Sequence, residues 1–265
     1  MQHRFILKYV VFFFYNRLEI NCMLTKTTFR WVVQKMSERI NSIFSKIHKN
    51  YDAMNRIMSF GIDVRWRKIA AQQMVNGIDQ NSRILDIATG TGDLAIAIYD
   101  FAENSNKKIE LYAIDMNAEM IEIAKKKLGK RKISVMRGDA LKIPYQDNFF
   151  DAVSVGFGTR NFDDLKIFAN EIMRVLKYEG FFVIIDMALP KKKYQRIFFK
   201  FYFQIIRFLG YFIDKGSYEW LISSIEHFDF EKLKAILEES GFKIIRYDPL
   251  SFGITYLIVG KKVAR

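Results

Sequence analysis

The chain has 265 residues, 50% hydrophobic and 27% charged, enough to bury one sizeable core with appendages. A single cysteine excludes a disulfide framework within the chain and any cysteine-rich metal site; with only His3, His48 and His227 besides, a zinc enzyme lacks ligands and no metal is expected. The 42 Lys and Arg against 29 Asp and Glu give +13, which calls for an acidic partner, nucleic acid or an anionic membrane surface, unless it reflects Lys-rich composition alone.

Residues 1–36 read as an N-terminal extension. Its apolar run Phe5–Tyr15 is interrupted by Lys8 and is too short to span a bilayer, which takes about 20 apolar residues. No small-residue cleavage site follows, as a signal peptide would require. The run is then an interfacial anchor or lies upstream of the true start, for which Met23 and Met36 both serve. The domain proper is expected over 37–265, opening with a helix whose Ile40, Ile43, Phe44 and Ile47 share one face. The segments Tyr51–Gly61 and Val64–Lys68 mix aromatic, Met and polar residues, which suits a pocket cover or ordinary packing of Met54, Ile57, Met58, Phe60 and Trp66.

The stretch from Arg83 to Ala95 is an apolar run that ends in an acid and opens into a glycine turn. Ile84, Leu85 and Ile87 predict a buried parallel strand, Gly90 and Gly92 let backbone approach a ligand, and Leu94 to Ala102 begins a helix. Gly90-x-Gly92-x-x-Ala95 also satisfies a dinucleotide pattern. Asp86 before the loop and Asp93 within it, however, would repel a pyrophosphate at the helix N-terminus. They suit S-adenosylmethionine, which has no phosphate and carries a positive sulfonium and ammonium. Leu111–Asp115 predicts a second strand ending in an acid, near the spacing of about 20 residues expected of a ribose-binding carboxylate. Asp115 anchors the ribose or caps the helix beginning near Asn117.

That helix, Asn117 to Leu128, should turn Met120, Ile121, Ala124 and Leu128 inward. A third strand, Ile133–Met136, leads to Arg137-Gly-Asp-Ala140, where Asp139 and the Ala140 amide meet an adenine edge or Asp139 serves its own turn. The fourth strand, Phe150–Gly156, runs into Phe157-Gly-Thr-Arg-Asn161. Strand ends in open α/β sheets face the ligand crevice, so this loop is a candidate substrate surface. An amphipathic helix over Asp164–Leu176, with Ile167, Phe168, Ile172, Val175 and Leu176 apolar, precedes a fifth strand, Gly180–Met187. Lys191–Tyr218 then sets many Phe and Tyr among Lys and Arg, part of an insertion at 190–224, and Arg207 in its most apolar part argues against a spanning helix. It reads as a lid over the pocket or a basic amphipathic helix on an anionic bilayer. Aromatics this clustered do not suit a nucleic-acid groove, so no nucleic acid is expected. A helix over Phe230–Ser240 ended by Gly241, and strands Phe242–Tyr247 and Gly253–Val259 joined as an antiparallel edge pair, complete the chain.

From about Ile43 to Gly260 these residues resemble the UbiE/MenG family of quinone-biosynthesis C-methyltransferases. The likeness rests on Asp86-Ile-Ala-Thr-Gly-Thr-Gly-Asp93, Tyr51–Asn55 with Met58–Gly61, Phe157–Asn161, Pro144–Asp151, Arg174–Lys177 and Asp214–Tyr218. It implies an α/β class I S-adenosylmethionine-dependent methyltransferase, Rossmann-like, whose seven-stranded sheet has five parallel strands and a C-terminal antiparallel pair, with N-terminal helices and the aromatic basic insertion. Asp86, Gly90 and Gly92 would shape the cofactor loop; Thr91, Asp115, Met116, Asp139 and Ala140 would contact S-adenosylmethionine, with Gly156 near its methionine end. The implied substrate is a lipophilic prenylated quinol methylated on a ring carbon, and the glycine-loop wording favours demethylmenaquinol over a ubiquinone precursor. The family's polar ending is missing from Leu257–Gly260, and Ile225–Phe228 lacks its proline, which bears on the substrate more than on the donor. Other readings are an O- or N-methyltransferase on another lipophilic molecule and a quinone-pathway assembly subunit. A cytoplasmic enzyme on the inner face of the membrane is expected, with a homodimer left open.

An aromatic carbon is a poor nucleophile until a ring hydroxyl loses its proton. Arg160, at a strand end, is the cation to stabilise the resulting phenolate. A guanidinium is too poor a base to take the proton, so a water oriented by Arg160 and Asn161 is the expected acceptor, in a pocket kept dry by Tyr51 and the aromatic lid. The competing expectation is that Arg160 merely pairs with a carboxylate such as Asp163.

Overall fold

The computed structural model describes residues 52, 55–56 and 59–263; the 1–36 extension, the Ile40–Ile47 helix, Tyr51, Met54, Ile57 and Met58 lie outside them. After α1 (Ile62–Gly77), strands and helices alternate: β1 (Ser82–Ile87), α2 (Asp93–Asn104), β2 (Ile109–Asp115), α3 (Ala118–Leu128), β3 (Ile133–Arg137), β4 (Phe150–Gly156), α4 (Leu165–Val175) and β5 (Leu176–Met187). Then come α5 (Lys193–His227), α6 (Phe230–Glu239), β6 (Phe242–Leu250) and β7 (Thr255–Lys262). The helix starts carry their signals in the sequence: the side chain of Asn117 accepts the Met120 amide to cap α3, Asp164 caps α4 and Asp229 caps α6. The inward residues of α3 are Met120, Ile121, Ala124 and Leu128, as its periodicity predicts. On α4, Phe168, Ile172 and Val175 are buried while Ile167 is exposed.

The seven strands form one sheet in the order β3-β2-β1-β4-β5-β7-β6. The first five are parallel, and successive residues alternate between two cores. Ile84, Ala113, Val183 and Leu257 face the side holding α1, α2 and part of α5; Leu85, Ile114, Ile184 and Ile258 face the side holding α4 and α6. The closing pair is antiparallel, and the structure adds that β7 inserts between β5 and β6, so β7 alone is reversed and β6 is the edge. Burial explains the placement, since Leu257 and Ile258 are fully buried whereas β6 exposes Lys243 and Ile245. β5 starts at Leu176 rather than Gly180, with a register shift against β4. Gly180 is needed there because a Cβ would lie 2.8 Å from the Lys177 carbonyl oxygen.

The α5 run is not straight. Arg207 Nη2 meets Glu226 Oε2 at 3.0 Å across 19 residues of sequence. A straight helix would hold those positions about 28 Å apart, so the run doubles back between them, in a stretch containing Gly210 and Gly216. Phe203 and Ile206 on one arm and Leu221, Ile222 and Ile225 on the other then share a core with Trp66 and Phe157. Among the described residues no helix is long and apolar enough to cross a membrane.

Chain order reverses between β1 and β4, whose neighbours β2 and β5 lie on opposite sides. In such sheets the crevice beyond the carboxyl ends at that reversal receives the ligand. Here it is flanked by the glycine loop after β1 and the Phe157–Asn161 loop after β4.

Candidate active site

The glycine loop is held by backbone bonds to β2: the Thr89 amide donates to the Ile114 carbonyl oxygen at 3.0 Å, and the Gly90 amide to Asp115 Oδ2 at 2.8 Å. Asp115 Oδ1 accepts the Asn117 amide at 2.9 Å, so this carboxylate braces two loops while Asn117 itself caps α3. Burial pushes its carboxyl above the usual range, with the Asn117 and Gly90 amides pulling the other way. Gly90, at φ 56°, has clear space where a Cβ would stand, leaving its backbone open to a ligand. The two loops touch: a Cβ on Gly158 would lie 2.7 Å from that of Ala88, and one on Gly156 would lie 2.9 Å from Leu94 Cδ2.

Asp86 is 1% exposed, and its Oδ1 accepts the Ser154 hydroxyl at 2.6 Å. Its Oδ2 and the Thr89 hydroxyl are both buried and neither makes a hydrogen bond of good geometry, although the hydroxyl is close enough to act on the carboxylate. Burial pushes the Asp86 carboxyl up to about 6, partly offset by the Ser154 and Thr89 hydroxyls. A buried carboxylate oxygen with no well-formed hydrogen bond gains from a further donor, and from a positive one most of all. Its position below a glycine loop with open space therefore fits the ammonium-bearing end of S-adenosylmethionine.

Asp93, which sequence reasoning sets against a phosphate, is already compensated. It pairs with Lys127, and Arg56 and Arg67 lie 3.7 and 4.0 Å from its Oδ2. The negative potential of the site therefore rests on Asp86 and Asp115. Lys127 also binds Asp52 at 2.6 Å, and Thr91 donates its hydroxyl to Asp52 at 2.7 Å. Asp63 pairs with both Arg56 and Arg67. Burial raises the Asp63 carboxyl, but bonds from Arg56 and Ser59 and the charge of Arg67 outweigh it and hold the group low. This network, which clasps the segment before α1 to the glycine loop, leaves no periodic trace in the sequence.

Beyond β2 and β3, Met116 is 38% exposed, and Asp139 Oδ1 accepts the Leu141 amide at 2.8 Å, the local turn role open to it. Ala140 is buried beside it, and Gly156 ends β4 against Ile185.

At the end of β4, Arg160 is paired with Asp186 rather than Asp163, which is exposed and makes no ion pair among the described residues. The side chains of Arg160 and Asp186 are 4% and 0% exposed, with Nη1 to Oδ1 at 2.5 Å. Asp186 Oδ2 also accepts the Thr159 hydroxyl at 2.6 Å and the Arg160 amide at 3.1 Å. Arg160 donates further to the Phe157 carbonyl oxygen at 2.6 Å and to Ser224 of α5 at 3.3 Å. Asn161 stands next to it with Oδ1 buried and unpartnered. Asp186 was missed in the sequence, although Ile184-Ile-Asp186 repeats the strand-then-acid pattern that marks Asp86 and Asp115.

A family model described as the ubiE/COQ5 methyltransferase family matches residues 32–262. A demethylmenaquinone methyltransferase of Thermus thermophilus is 38% identical over 226 residues, spanning 83% of this chain and 100% of that protein. The ubiquinone/menaquinone biosynthesis C-methyltransferase UbiE of Rickettsia akari is 36% identical over 232 residues, spanning 84% of this chain and 92% of that protein. Among solved structures, a SAM-dependent methyltransferase from Aquifex aeolicus shares the fold with a TM-score of 0.53 at 19% identity, covering 73% of this chain and 89% of that one. With a matching sheet and a loop chemistry that fits the donor, the chain belongs to the ubiE/COQ5 methyltransferase family and is an S-adenosylmethionine-dependent methyltransferase.

Proposed function

We propose that the protein methylates a ring carbon of a polyprenylated demethylmenaquinol to give menaquinol, working from the cytoplasm against the inner, anionic face of the membrane. The observation that carries this reading is the buried Arg160–Asp186 couple beside the crevice, in which Asp186 balances much of the charge and fixes the guanidinium through Nη1 while Nη2 is left to donate to an oxyanion. The likeness to the Thermus protein, whose name specifies demethylmenaquinone, supports the acceptor.

Bound S-adenosylmethionine supplies a methyl carbon on a positive sulfur. Asp86, Gly90, Thr91, Gly92, Asp115, Met116, Asp139, Ala140 and Gly156 form its site in this reading. Arg160 Nη2, without a partner among the described residues, donates to the quinol oxygen and stabilises it as phenolate. Asp186 fixes the guanidinium through Nη1, so little reorganisation is needed when charge develops. Asn161 orients the water that takes the hydroxyl proton, using its buried Oδ1. With the oxygen so held, the neighbouring ring carbon would be the one to accept the methyl that the bound donor supplies, and its own proton would leave to water. The inward aromatic face of α5, where Phe199 and Phe203 share a core with Phe157, excludes bulk water, which strengthens each of these interactions.

The test is transfer of labelled methyl from S-adenosylmethionine to demethylmenaquinol, with a ubiquinone precursor in parallel. Labelled menaquinol is expected, and no transfer to demethylmenaquinol by protein that binds the donor would refute the reading. The Rickettsia relative, whose name covers ubiquinone as well, favours the precursor as a second acceptor.

A further inference from the structure

We propose that the outward face of the first arm of α5 is the surface by which the protein docks on anionic lipid, an inference that rests on the reading of a membrane-resident quinol. This arm has two apolar faces. Phe199, Phe203 and Ile206 point into the core. Tyr194, Ile197, Phe198, Phe201 and Ile205 recur three or four residues apart, the spacing of one helix face. Yet they point to solvent, with Ile197, Phe198 and Phe201 at 70%, 64% and 68% exposure. A row of this size left in water marks an interaction surface.

Charge selects the occupant. Lys193 and Lys200 flank the row, both exposed and without ion pairs among the described residues, and Lys192 stands at the helix start. An apolar face edged by lysines is the pattern of a helix lying in the headgroup region of an anionic bilayer. A second copy of the chain packed on the same face would bring like lysines together. The patch extends onto two other elements. Phe60 lies 5.9 Å from the Tyr202 ring, and Phe252 sits on a turn whose Gly253 abuts Pro190, just before α5. They are 75% and 79% exposed, and both hold left-handed backbone, φ 50° and 58°, that bulky L residues avoid. Apolar rings so presented gain a role if they insert among acyl chains. The second arm of α5 meets Arg160 through Ser224, so the helical run that carries the docking face also borders the reaction site.

The experiment uses the full chain and sucrose-loaded vesicles of phosphatidylcholine, with or without 30% phosphatidylglycerol. Sedimentation with the anionic vesicles is expected for the wild type. It should weaken by about tenfold for each phenylalanine lost in F198S and F201S, and also in the double variant K193E/K200E. I167S, an exposed apolar residue on α4, should bind as the wild type does. Turnover of a water-soluble, prenyl-free demethylmenaquinol should persist in every variant, while turnover of the prenylated quinol embedded in vesicles falls with binding. Wild-type-like sedimentation of both F198S/F201S and K193E/K200E overturns the proposal. So does a lipid-free dimer that dissociates in F198S/F201S, since a second copy would then be the occupant. Failure of the wild type on the soluble acceptor would strike the proposed reaction instead, and vesicle binding would still decide the docking face.

Discussion

Asp86 should make cofactor binding sensitive to pH. Its carboxyl is fully enclosed, one oxygen lacks a well-formed hydrogen bond, and burial, against the Ser154 and Thr89 hydroxyls, moves its pKa from 3.8 to about 6. The folded chain therefore holds this proton between about pH 6 and 4 while the unfolded chain does not, and stability from this group rises as pH falls through that window. Above about pH 6 the ionised, buried group penalises the folded state by about 3 kcal/mol, and below about 3.8 the penalty is gone. A cationic ligand group reverses the preference, because it pairs with the carboxylate and competes with the proton. By calorimetric titration, wild-type affinity for S-adenosylmethionine should drop about tenfold between pH 7 and 5, as only about a tenth of the carboxyl remains ionised at pH 5. D86N relieves the desolvation penalty, so its apo form should resist heat at pH 7 at least as well as the wild type. It should bind the cofactor roughly a hundredfold more weakly, the loss of a charge-assisted hydrogen bond, with a flat profile over the same range. Wild-type affinity that does not change from pH 7 to 5, or a D86N profile that still falls, would refute the assignment of Asp86 as the ammonium's partner.

R160A should retain cofactor affinity by calorimetry but lose about a hundredfold to a thousandfold in turnover; equal turnover in the two proteins sinks the role assigned to Arg160. G158A, whose new Cβ would press on Ala88, should lose about 1–3 kcal/mol of stability, read as a lower melting temperature and weaker cofactor binding. K127A removes one of three cations around the Asp93 carboxylate, whose side chain is 13% exposed, so it should lose about 1–3 kcal/mol. Its melting temperature should also depend less on added KCl than that of the wild type.

Much of the fold was legible because its signals are local. Apolar runs ending in acids located β1 and β2, apolar period located α3 and α4, and the glycine spacing located the cofactor loop. Local patterns also misplace things. Asp93 reads as part of a negative loop, but Lys127, Arg56 and Arg67 arrive from elsewhere and neutralise it. Arg160 reads as a free cation with Asp163 nearby in sequence, whereas sheet pairing puts β5 next to β4 and carries Asp186 to it.

By itself the sequence determined the alternating layers and the donor class, since hydrophobic period and a glycine turn between acids act over a few residues. Tertiary structure alone decided the insertion of β7 between β5 and β6, the doubling back of α5, the outward aromatic row and the Arg160–Asp186 couple. Each of these depends on which distant segments meet and which faces are left over. An amphipathic pattern states that a face is apolar, and only the packed neighbours decide whether that face is buried in protein or remains for lipid.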